Sequence, residues 1–108
     1  MSLKAAKQLY NKKKNSLNRF IEQVRTLLAD QNLGAERLEE VKGGLNAAWE
    51  TFNTAYDGLV KLQVEDETQA AEKGETDVEQ GNLKASILSI QDNLTGTVAK
   101  RKQDLEVQ

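Results

Sequence analysis

The sequence predicts an all-α fold, an up-down-up antiparallel three-helix bundle with coiled-coil-like packing, and three features carry that expectation. Apolar residues recur in alternating steps of three and four along most of the chain, which is the seam of a helix packed on other helices. Proline is absent, while Ala, Leu, Glu, Lys and Gln are abundant, a composition that favours long helices over sheet. Only short turn-like stretches separate three segments of similar length, and short connections make neighbouring helices antiparallel. The expected helices cover residues 3–31, 35–63 and 66–95, each roughly 40 Å long at 1.5 Å per residue.

The first segment has its seam at Leu3, Ala6, Tyr10, Lys13, Leu17, Phe20, Val24 and Leu27, with Lys13 the one misfit. Ile21 and Leu28 widen the stripe, as expected for a helix that touches two neighbours. The helix fades around Asp30-Gln31-Asn32, and Leu33-Gly34 supplies a turn. In the second segment the seam is Leu38, Val41, Leu45, Ala48, Phe52, Ala55, Leu59 and Leu62, flanked by Trp49, Tyr56 and Val60. Gly43-Gly44 costs about 1 kcal/mol per residue relative to alanine, yet the seam runs straight through it.

The third segment offers two starts. Asp66 with Gln69, and Thr76 with Glu79, each have the spacing of a capping box. From Asp66 the seam would be Ala71, Gly74, Val78, Gly81, Ala85 and Leu88, with Leu83, Ile87, Ile90 and Leu94 as a bulkier stripe beside it. Asn93-Leu94-Thr95-Gly96 reads as a helix end, so residues 1–96 form the bundle. Residues 97–108 are then a charged tail, either a frayed helix or disordered. A fold-back around Val64 to Asp66 would bring Trp49 near Gly81 and Tyr56 near Gly74, large against small.

Three of the five aromatic residues lie between Asn46 and Tyr56. They fall on the apolar side of the second helix, so this stretch is expected to be core rather than a ligand platform. The expected core centres on Leu17, Phe20, Leu45, Trp49, Phe52, Tyr56, Leu59, Ile87 and Leu94.

Composition bounds the chemistry. Cysteine and histidine are both missing, which removes disulfides, Cys/His zinc sites and nucleophile–histidine pairs. No apolar run reaches membrane-spanning length, and no signal peptide with a continuous apolar centre is present. An intracellular, cytoplasmic protein is expected, with no cofactor, metal or small-molecule substrate. The acidic stretch from Glu65 to Glu79 lacks the pattern of a calcium loop and reads as a solvated face. No phosphate-binding glycine loop occurs, and an enzyme is not expected.

Lys4, Lys7, Lys12, Lys13, Lys14 and Arg19 make the first helix basic against a net charge of −2 for the whole chain. They are the candidate contacts for a nucleic acid or an anionic membrane, or else a solvated face complementary to the acidic stretch.

Lys12-Lys13-x3-Leu17-x2-Phe20-Ile21, then Leu45-x3-Trp49-x2-Phe52 with Tyr56 and Leu59, an acidic connector, and Leu83-Lys84-Ala85 together resemble the helical N-terminal Gag region of Pao/BEL-type LTR retrotransposons. The resemblance covers most of residues 3–95. It implies a non-enzymatic structural module of a particle-forming polyprotein, acting through helix packing and self-association, with itself or another protein as partner. The residues alone leave two alternatives: a coiled-coil interaction or spectrin-like spacer domain, and a helical module that binds RNA or membrane through its basic first helix.

Overall fold

The structure, a computed structural model, describes residues 1–107. Helix α1 spans Leu3–Ala29 and α2 spans Ala35–Glu65; a 3-10 turn at Glu67–Gln69 leads into α3, Ala70–Val107. The chain is an all-α three-helix bundle, drawn out into a rod of 62 × 19 × 17 Å. Helix α2 packs along both of the others, while α1 and α3 meet only lightly. Cross-helix partners fix the directions. Tyr56, Asn46 and Lys42 on α2 bond to Asp77, Gln91 and Thr95 on α3, descending against ascending numbers and therefore antiparallel. Lys7 and Lys14 on α1 meet Glu72 and Glu79 on α3, which run in parallel.

The helix ends follow from side chains that satisfy orphan backbone groups. Ser2 caps α1 by accepting the Ala5 N–H at 3.1 Å. The helix stops at Ala29, two residues short of the expected 31, because the Asp30 carboxylate accepts the Asn32 N–H at 2.9 Å and pulls the backbone into a turn. Helix α2 runs two residues past the expected 63. Asp66 then accepts the N–H and the hydroxyl of Thr68 at 3.0 and 2.7 Å, which nucleates the 3-10 turn. Helix α3 thus begins between the two starts that the sequence offers.

Three expectations for α3 need correction. The helix does not end at 95; it passes through Asn93–Gly96 and continues to Val107. Tertiary contacts hold this extension: Val98 is buried, and the Arg101 guanidinium donates to the backbone carbonyls of Leu33 and Asp30. Residues 97–107 are therefore part of the helix that closes the α1–α2 turn, and only Gln108 lies outside the described residues.

The second correction concerns the buried face. Ala71, Gly74, Val78, Gly81, Ala85 and Leu88 all point outward, and Val78 and Leu88 are 63% and 53% exposed. The bulkier stripe of Leu83, Ile87, Ile90, Leu94 and Val98 fills the core instead. Both stripes have helical spacing, and the one with more apolar area to remove from water wins. The third is the register. Asp77 rather than Gly74 faces Tyr56, and Gln80 faces Asn53, a shift of nearly one turn from the expected pairing. The 3-10 turn inserts the extra residues. A Cβ on Gly74 or Gly81 would meet nothing within 4 Å, so neither glycine accommodates a ring.

The core is not uniform along the rod. Towards the α1–α2 turn it is aliphatic, with Ile21, Val24, Leu38, Val41, Leu45, Ile87, Ile90, Leu94 and Val98. At mid-length Phe52 is fully enclosed, with the ring centroids of Tyr10, Trp49 and Tyr56 at 5.5, 5.6 and 6.4 Å. Beyond it, apart from Leu59, the core turns small and polar: Ala6, Ala55, Gln63 and Thr76.

Candidate functional site

The first-helix cations divide by their place on the helix. Lys7 and Lys14 lie on the side of α1 next to α3. Their ammonium groups donate to Glu72 at 2.5 Å and to Glu79 at 2.6 Å. The Tyr10 hydroxyl also donates to Glu79, at 3.3 Å, and Lys14 stands 5.5 Å above the Tyr10 ring. Burial, and then the charge of Glu79, raise the Tyr10 phenol well above its ordinary value, so it remains a neutral donor. Lys4, Lys12, Lys13 and Arg19 have no carboxylate partner among the described residues. Lys4, Lys12 and Arg19 are exposed on the outer face of α1, and Lys13 lies half-buried on the α2 side. The structure therefore does not gather the six cations into one cluster.

Among the other residues singled out from the sequence, Leu17, Leu45, Phe52, Leu59, Ile87 and Leu94 are buried, and Phe20, Trp49 and Tyr56 are half-buried. Tyr56 donates to Asp77 at 2.6 Å, and that bond, reinforced by burial, raises its phenol to about 12. Asp77 is held below its ordinary value first by the Lys73 ammonium at 2.7 Å and then by the Tyr56 hydroxyl. Asp66 is also lowered, by the hydroxyl and backbone N–H of Thr68. Each of these groups stays in the protonation state it already has at neutral pH. Among the described residues no group of three or more carboxylates is placed to hold a metal ion.

Between the three helices, at the polar end of the core, lies a cleft of about 240 Å³ bordered by Lys7, Tyr10, Gln63, Glu72, Thr76 and Glu79. Gln63 is 2% exposed and its Oε1 has no donor, while the Thr76 hydroxyl is satisfied by the Glu72 carbonyl at 2.8 Å. Sequence reasoning took Thr76 only as a possible helix cap and did not single out Gln63. Gln63 stands four residues after Leu59, and Thr76 one heptad before Leu83, so both continue buried helical stripes, but as polar residues they break the apolar pattern.

A second hollow, about 230 Å³, lies in the groove between α1 and α2, walled by Lys13, Ser16, Leu17, Phe20, Ala48 and Thr51. The Phe20 ring leans across this groove over Gly44, where a Cβ would stand 3.0 Å from its Cζ. The absent side chain at Gly44 is what lets the ring lie there.

No helix among the described residues is long and apolar enough to cross a membrane. Neither the protein-family models, nor the curated proteins, nor the solved structures include a match to this chain.

Proposed function

We propose that this chain is a non-enzymatic helical module that packs against copies of itself, as part of a larger assembly of the Gag type. One observation carries the reading: α3 has two seams and the bundle uses only one. The outer seam, Ala71, Gly74, Val78, Gly81, Ala85 and Leu88, keeps the three–four spacing of a packing face, yet every member is exposed. The face of a helix opposite its core is normally its most polar. Here its small residues would allow two helices to approach closely, with Val78 and Leu88 as the apolar knobs. The resemblance of α1 and α2 to the helical Gag region supports the same role.

Sedimentation and light scattering across a concentration series test the proposal. The wild-type chain is expected to self-associate, and the double variant Val78→Glu/Leu88→Glu to remain monomeric with its helical circular dichroism intact. A wild-type chain that stays monomeric at millimolar concentration would remove the self-association reading and leave the spacer role in its place.

A further inference from the structure

We infer that the groove between α1 and α2 around Phe20 is a binding site for single-stranded nucleic acid, a role separate from self-association through α3. Three observations meet there. First, α1 carries no carboxylate before Glu22, and Glu22 is itself engaged by Arg25 at 2.9 Å. Lys13 lines the hollow, and Lys12 and Arg19 stand on the adjoining outer face of α1, all three without a carboxylate partner among the described residues; the α2 residues that line the hollow, Ala48 and Thr51, are uncharged. Second, an aromatic ring is available at the same place. Phe20 is half-buried, forms a wall of the hollow, and is held in the groove by the space above Gly44. Third, the hollow is small and open: at about 230 Å³ it takes one flat ring rather than a duplex edge.

The arrangement fits the chemistry of a single strand. Lys12 and Lys13 lie one heptad before Arg19 and Phe20, about 10 Å along the helix. Cations at the two ends of the hollow can hold the phosphates that flank a single nucleotide, while its base lies against Phe20. A positive groove with an aromatic surface is the general solution for single strands. It tolerates sequence, because every base has a π-face. The amides of Gln8 and Asn15, exposed on the outer face beside Lys12 and Arg19, add hydrogen-bonding groups suited to phosphate and sugar oxygens. A membrane fits this face less well. An interfacial helix needs a free apolar side to insert, and that side of α1 is spent on the bundle. Lys7 and Lys14 are excluded from the site because α3 already neutralises them.

Fluorescence anisotropy with a labelled 20-nucleotide oligouridylate and the full chain tests the inference. Contacts to three phosphates give a slope of roughly −2 for log K against log salt concentration, at about 0.7 per phosphate for single strands. The triple variant Lys12→Gln/Lys13→Gln/Arg19→Gln is expected to lose binding and the salt slope together. Phe20→Leu keeps an apolar side chain over Gly44 and is expected to weaken binding at least about 5-fold without changing the slope, the smallest loss that a stacked base would show. Lys84→Gln, on exposed α3, is the control and should stay within about 2-fold of wild type. No binding at 20 mM salt overturns the inference. So does an unchanged affinity in Phe20→Leu, or equal losses in Lys84→Gln and the triple variant, either of which would mean diffuse charge rather than a site. Binding to phosphatidylserine vesicles without binding to the oligonucleotide overturns it as well.

Discussion

Replacing Phe52 with alanine should be the most damaging single truncation in this protein. The ring is wholly enclosed at 0% exposure, at the one level of the rod where α1 and α2 contribute four aromatic rings. Its removal loses the transfer energy of a buried ring and leaves a hole that Tyr10, Trp49 and Tyr56 cannot fill without abandoning their own contacts. Phe-to-Ala changes in such places cost about 3–5 kcal/mol, against total domain stabilities of about 5–15 kcal/mol. For 108 residues the unfolding entropy is roughly 0.23 kcal/mol/K, so the melting temperature should drop by roughly 13–22 °C. Trp49, the single tryptophan, stacks on Phe52 and reports its surroundings directly. Urea unfolding should therefore be followed by tryptophan fluorescence and by circular dichroism in parallel, with coincident transitions as the check for two-state behaviour. The companion variant Trp49→Ala removes a half-buried ring and should cost less than Phe52→Ala. A Phe52→Ala loss under about 1 kcal/mol, or a larger loss from Trp49→Ala, would refute the placement of the core centre.

Other perturbations separate local causes. Gly43→Ala meets open space and should stabilise the helix by about 0.5–1 kcal/mol, whereas Gly44→Ala must displace Phe20 and should gain less; equal gains would show that the ring does not lie over Gly44. Tyr56→Phe should cost about 1 kcal/mol at pH 8 by removing the bond to Asp77. The sign with pH follows from the raised phenol: stability from that group is complete below its unfolded value of 10.0 and is lost as the pH climbs towards about 12. Denaturant midpoints at pH 8 and pH 11 should thus differ more in wild type than in Tyr56→Phe. At the acid end the contribution of Asp77 is present above 3.8 and fades as the pH falls through its lower folded value. Deleting residues 97–108 should cost about 2 kcal/mol or more, because Val98 is buried and Arg101 holds the α1–α2 turn; unchanged stability would mean that this stretch is a dispensable tail.

Much of the architecture was legible because helix packing is written in local spacing. The seams through Leu17 and Val24, and through Leu38, Leu45, Phe52 and Leu59, need only a period of 3.6 to be recognised, and these residues are buried. Turn chemistry at Asp30 and Asp66 marks the two connections, although it shifts the helix ends by two residues. The candidate groove was less legible. The cations of α1 can be counted from the sequence, but whether each meets a carboxylate depends on which residues of α3 come alongside. Phe20 reads simply as a seam residue; its place across the groove depends on Gly44, twenty-four positions away on another helix.

Local periodicity by itself determined the helix count, the direction of each connection and the apolar faces of α1 and α2, because these depend on interactions within a few turns. Tertiary structure decided three things that periodicity leaves degenerate. It chose the leucine and isoleucine stripe of α3 over the alanine and glycine stripe, since burying the larger side chains removes more apolar surface from water. It set the α2–α3 register through the 3-10 turn, one turn away from where a tight fold-back would place it. It also carried α3 past Gly96, because Val98 and Arg101 find partners on helices that are distant in sequence and near only once the bundle has closed.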